Sequence, residues 1–190
     1  MTEQQPYQVV RKYPDFELRW YPEHVVVEIT VEGSFEEAGN RAFNPLLQYI
    51  SGANRAQQRL AMTAPVVQGP SGQRIAMTAP VVQQETDQGA FTVAFVLPAT
   101  ITPANAPEPT DSRVQVRVVP AGYAAAVRYS GRWSQDSYLR HCTTLQEAIR
   151  HAGLQAISEP RFARFDPPFK PWFLRRNEVV IAVDGAVPPG

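Results

Sequence analysis

The chain has 190 residues, 18 of them prolines, one cysteine and a formal net charge of zero. A chain of this length buries a core without covalent staples, and a lone cysteine excludes an internal disulfide, a Cys-type zinc cluster and C-x-x-C-H haem attachment. Neutrality argues against electrostatically driven nucleic-acid binding, and 44% apolar with 19% charged residues argues against wholesale disorder.

The first six residues, Met1 to Pro6, lack the basic and apolar regions of a secretory signal. The longest apolar runs, such as Phe91–Leu97, fall far below the ~18 residues of a membrane span. The expectation is a soluble, cytoplasmic protein without membrane or nucleic-acid partners. Val25–Val31 is β-branched and predicts a strand. Gly33 then precedes Ser34-Phe35-Glu36-Glu37, a capping-box pattern. Ala42, Phe43, Leu46, Leu47 and Ile50 follow at helical spacing, Gly52 supplies the stop, and Pro45 predicts a kink.

Strand-like segments come next, near 59–67, 75–82 and 91–97. Within them, Leu60-Ala-Met-Thr-Ala-Pro-Val-Val-Gln68 recurs almost unchanged at Ile75–Gln83, with Gly69-Pro-Ser-Gly72 as a turn between the copies. Their prolines belong at an edge, a bulge or a strand end. Met62 and Met77 are either core fillers or the lining of a soft apolar pocket.

Tyr123–Tyr129 starts the same arrangement again. Gly131 and Trp133 correspond to Gly33 and Phe35, and a helix with Tyr138, Cys142, Leu145, Ile149 and Ala152 on one face ends at Gly153. Strands near 161–165 and 178–183 follow. The pattern is a duplicated strand–helix–strand–strand unit sharing one sheet. Pro98–Pro109 and Pro160–Pro171 hold eight of the 18 prolines, so proline here marks stiff loops and not a disordered chain. Of 18 basic residues only Lys12 and Lys170 are lysines, which singles out Lys170 in the second, aromatic loop.

No G-x-S-x-G elbow, H-E-x-x-H helix or P-loop occurs. Cys142 on an apolar helix face suits a structural thiol. His24, His141 and His151 form no metal set, although haem iron needs only one nitrogen ligand. What remains is apolar surface beside cations: Phe169, Trp172 and Phe173 with Lys170, Arg175 and Arg176. It suits an amphipathic ligand with carboxylate ends. The alternative is that the rings are core and the arginines are solvated or paired with Glu178.

Taken together, Phe16-Glu-Leu-Arg-Trp-Tyr21, the Met-Thr-Ala-Pro-Val blocks, Phe95-Val-Leu-Pro98, Pro107-Glu-Pro-Thr-Asp111, Tyr129-Ser-Gly131 and Asp166-Pro-Pro…Arg176-Asn-Glu-Val179 resemble the SOUL haem-binding family, in its order, over about residues 7 to 184. The resemblance implies one domain across 1–190 with an α+β fold. That fold is a distorted antiparallel β-barrel or twisted sheet flanked by two helices, similar to gyrase-inhibitory-protein-like ligand-binding domains. It implies a non-enzymatic protein that binds haem or another tetrapyrrole non-covalently and reversibly, as carrier, buffer or sensor. The implied groove lies between the first helix and the 166–174 loop. Phe43, Leu46, Leu47 and Ile50 form its wall, with Met62, Met77, Trp172 and Phe173 as further contacts and Lys170 as propionate partner. Asn40 and Gln48 stand where a relative has basic residues, and Trp20 stands where some relatives have a histidine. Binding is therefore expected to be mainly hydrophobic and micromolar, on the order of −8 kcal/mol. A general effector-binding module and a protein-interaction module are the competing readings.

Overall fold

A computed structural model describes residues 3–57, 59–70, 89–166 and 169–185. Ten strands form one curled, largely antiparallel sheet. They are β1 (Glu3–Gln4), β2 (Gln8–Lys12), β3 (Glu17–Tyr21), β4 (His24–Glu32), β5 (Thr63–Pro70), β6 (Ala90–Val96), β7 (Val114–Val119), β8 (Gly122–Ser130), β9 (Arg161–Arg164) and β10 (Arg176–Val183). Helix α1 (Phe35–Ile50) follows β4, and α2 (Gln135–His151) follows β8. No helix among the described residues is long and apolar enough to cross a membrane.

The strand order is β2-β3-β8-β10-β9-β5-β6-β4-β7, with β1 pairing in parallel to β5 off this path. Read outward from the β9–β5 centre, it is symmetric. β9, β10 and β8 on one side match β5, β6 and β4 on the other. The duplicated unit is therefore real: β4-α1-β5-β6 and β8-α2-β9-β10. The strands before each unit are exchanged. β3 precedes the first unit but pairs with β8 of the second, and β7 precedes the second but pairs with β4 of the first.

Local chemistry explains the helix starts. Gly33 (φ +130°) and Gly131 (φ +140°) occupy equivalent turns in a backbone region that disfavours any Cβ. The Ser34 hydroxyl then accepts from the Glu37 N–H at 3.3 Å, and Ser134 accepts from the Ser137 N–H at 3.4 Å. α1 runs unbroken through Pro45, where a kink was expected. β5 starts at Thr63 and not near 59, and Pro65 falls in its irregularity between Thr63 and Val66, as a ladder-breaking residue should. The expected 75–82 strand lies outside the described residues. The first proline loop is ordered by what it crosses: the Tyr49 hydroxyl donates to the Pro107 carbonyl at 2.7 Å.

Both helices cover one face of the sheet. α1 lays Ala38, Ala42, Leu46, Tyr49 and Ile50 on Val25, Val27, Val93 and Phe95. α2 lays Tyr138, Cys142, Leu145 and Ile149 on Phe162, Val179 and Ile181, with Phe35 stacked on Tyr138 at 5.0 Å between centroids. The curl encloses the opposite face, where Ala124, Ala126, Ala163, Val180, Val26, Ala94 and Val96 are buried.

Candidate functional site

The expected groove residues separate into two groups. On α1, Phe43 and Leu47 lie at the edge of the core. Phe43 is 38% exposed, with its ring edge-on to Phe95 at 5.7 Å. Leu47 and Met62 are half-buried against the same core cluster. Leu46 (0% exposed) and Ile50 (4%) sit inside that cluster, so neither offers surface to a ligand. A helix turns its most regular apolar stripe toward its own sheet, and that stripe is what the spacing identified. Met77 lies outside the described residues.

The second group is the segment from Phe169 to Arg175. It contains a 3-10 turn, Trp172–Leu174, and is strongly exposed: Phe169 86%, Phe173 58%, Leu174 56%, Trp172 48%. Its shape is fixed by polar contacts. Lys170 Nζ donates to Asp166 Oδ1 at 2.7 Å, and the Arg176 N–H donates to the other Asp166 oxygen at 2.5 Å. Partial burial works against the Asp166 charge. The Arg176 amide and the Lys170 ammonium outweigh it and hold this carboxyl below its ordinary range. Arg175 Nε donates to the Lys170 carbonyl at 2.8 Å. Arg176 turns away to Glu178 at 2.7 Å, so for this residue the expected pairing with Glu178 is the one observed.

Between the groups lies a bridge that the sequence reading missed. Two guanidiniums lie over the Trp133 ring, with Arg164 Cζ at 4.7 Å and Arg175 Cζ at 4.5 Å from its centroid. Trp133 Nε1 donates to Asn177 Oδ1 at 2.9 Å, which fixes the ring. Arg164 is buried beneath α1 and packs against Gly39 so closely that a Cβ there would lie 2.9 Å from its Cζ. Burial pushes its pKa down to about 10, with Gln68 Oε1 accepting from Nη2 at 2.9 Å. Arg132 Cζ lies 5.4 Å over the Trp172 ring. The matching of Trp133 with Phe35 was the available signal: both rings sit where a strand hands over to its helix.

His24 Nδ1 is 2.9 Å from the Pro22 carbonyl and Nε2 is 3.0 Å from the Gln5 side-chain amide. His141 stacks flat on Tyr129 at 3.8 Å. Cys142 is buried, and burial pushes its thiol up to about 11. Among the described residues no three His, Cys, Asp or Glu side chains group as metal ligands. On the other flank of α1, Ile29, Val31, Pro45, Arg41 and Arg113 line an open cleft of about 440 Å³.

Comparison with known proteins places this geometry in context. A family described as SOUL heme-binding protein matches residues 2–182. Heme-binding protein 1 of Xenopus tropicalis is 28% identical over 165 residues, which cover 86% of this chain and 81% of that protein. Among solved structures, the C-terminal domain of EcmrR superposes with a TM-score of 0.63 at 16% identity, covering 94% of this chain and 98% of that one. A hydrolase from Listeria innocua superposes with a TM-score of 0.60 at 12% identity, covering 92% and 94%. At these identities the likeness shows a shared fold.

Proposed function

The chain belongs to the SOUL heme-binding protein family, and on that premise we propose that it binds haem non-covalently and reversibly, without catalysis. The observation that supports this reading is the exposed aromatic segment 169–174 fixed beside cations. Haem is a flat apolar plate with two carboxylate arms. Trp172 and Phe173 present apolar area for the plate, and Phe43, Leu47 and Met62 present a second edge across the Trp133 bridge. Lys170 and Arg132 are the cations for the propionates. The residues therefore suit the group, with one qualification: Lys170 already holds Asp166, so a propionate has to share it.

Bound haem supplies a redox-active iron and a Soret chromophore. His24 is spent on Gln5 and Pro22, so the chain holds the macrocycle by contact and not through this ligand. The expected affinity is micromolar, on the order of −8 kcal/mol. This suits a cytoplasmic carrier, buffer or sensor that gives up its cargo, and other tetrapyrroles of the same shape fall within its range. The whole chain, with a core from about 7 to 184, acts as one binding domain.

Hemin titration followed at the Soret band tests this. Leu47→Arg and Trp172→Ala should each weaken binding about tenfold, and Lys170→Glu about threefold. Leu46 and Ile50 are unsuitable probes because replacing them breaks the core. A flat Soret difference at tens of micromolar hemin with folded protein would overturn the reading.

A further inference from the structure

The enclosed face of the sheet carries charge that the haem reading does not use. Cross-strand partners share a face, so pairing defines its rows. Arg161 lies beside Val180 on β10, which lies beside Ala126 on β8. The next row runs Glu178, Ala163, Val67, Ala94, Glu28 across five strands. Most cations here have carboxylates. Arg19 contacts Glu178 at 2.6 Å and Glu17 at 2.8 Å, Arg176 contacts Glu178 at 2.7 Å, and Arg117 contacts Glu28 at 2.9 Å.

Arg161 is the exception. Its Nε is buried without a partner, and among the described residues no carboxylate lies within ion-pair distance of it. Burial pushes its pKa below the ordinary arginine value, with Arg117 adding repulsion. Arg164, on the opposite face of the same strand, also has a buried Nε without a partner, but two aromatic rings lie against its guanidinium and Gln68 accepts from its Nη2. The Thr63 hydroxyl is a second orphan on the enclosed face. Thr63 is 1% exposed, its Oγ1 has no partner, and it pairs with inward-facing Val96. Tyr21 also packs here; its oxygen accepts from Arg19 at 3.3 Å, which leaves the phenol proton to donate.

We propose that this enclosed face holds a second binding site, for a small organic carboxylate, centred on Arg161. A guanidinium whose Nε is buried without a partner, and which has no carboxylate beside it among the described residues, is costly, and an anion offsets that cost where a neutral ligand does not. The orphan groups are donors, which suits carboxylate oxygens. The wall is alanine and valine, which suits a short apolar body. Arg161 is only partly buried, so the site has a mouth. It lies on the face opposite both helices, apart from the haem surface.

The test is thermal denaturation of the intact protein in benzoate, in inorganic phosphate and in sodium chloride of equal ionic strength. The wild type should gain stability saturably with benzoate at about millimolar concentrations, and Thr63→Val should weaken this several-fold. Arg161→Met should lose the response yet melt no lower than wild type without ligand, while its hemin titration stays unchanged. Should that variant fail to fold, the Arg161 Nε–H resonance of the wild type must still shift saturably with benzoate. The proposal is overturned by a wild-type response no larger than that to chloride, or by a response to phosphate with none to benzoate. A ligand-free Arg161→Met protein markedly less stable than wild type also overturns it, because the arginine would then be structural.

Discussion

On the helix side, β8 and β10 present Ala125, Val127, Tyr129, Val179 and Ile181 to rings and aliphatics from α1 and α2. On the enclosed side the same two strands present Ala124, Ala126, Glu178 and Val180. The small side chains leave the space through which Arg19 crosses β8 to reach Glu178, with the Tyr7 ring 4.2 Å from its Cζ. One face is stabilised by non-directional apolar area and tolerates compensating changes of shape. The other depends on specific partners, and removing one leaves its mate charged in a dry place. Burial works against the Arg19 charge, and Glu178 overrides it, so this guanidinium is held charged more firmly than usual.

The largest test of that contrast is Glu178→Gln, which takes the carboxylate from Arg176 and leaves Arg19 with Glu17 alone. Urea unfolding should show a loss of about 3–5 kcal/mol; a loss near that of a surface pair would mean the enclosed face is wetter than its burial says. On the helix side, Gly39→Ala drives a methyl into the Arg164 guanidinium. The overpacking cost of about 1–3 kcal/mol cancels or exceeds the ~1 kcal/mol of helix propensity gained, so the variant should be no more stable than wild type. A variant more stable than wild type would show that Arg164 swings aside freely.

The smallest expected effect comes from pH. Burial holds His24 below its ordinary value of 6.5, with Arg161 and Arg117 acting in the same direction and the Pro22 carbonyl against it. A histidine with a lowered folded pKa contributes fully above the unfolded pKa, and the contribution fades as pH falls below 6.5. The urea midpoint should therefore drop between pH 7.5 and 5.5, less so in His24→Gln. A wild-type midpoint that is flat or rising would mean that His24 titrates as if in water.

The two helices, their serine caps and the duplication were legible because they are written locally, in glycine, serine and a 3.6-residue stripe. β2, β3 and β7 were not read as strands: β2 and β3 form a local hairpin, but Arg19 and Glu17 look like surface charge until distant β8 and β10 close over them, and β7 pairs with the equally distant β4. For the candidate site, the 169–174 aromatics and Lys170 were legible from composition alone. Leu46 and Ile50 lie in the core because periodicity marks the face a helix buries. Trp133 carried only its match with Phe35, and Arg132 and Arg164 carried no local mark, because the stacking joins residues 31 to 42 positions apart.

The exchange of β3 and β7 between the two units makes each half the other's missing part. Cut within the connection between β6 and β7, the first fragment lacks the edge that covers β4, and the second lacks the edge that covers β8. Each carries the strand the other needs. The halves are thus a natural pair for fragment complementation, silent apart and a single sheet when mixed.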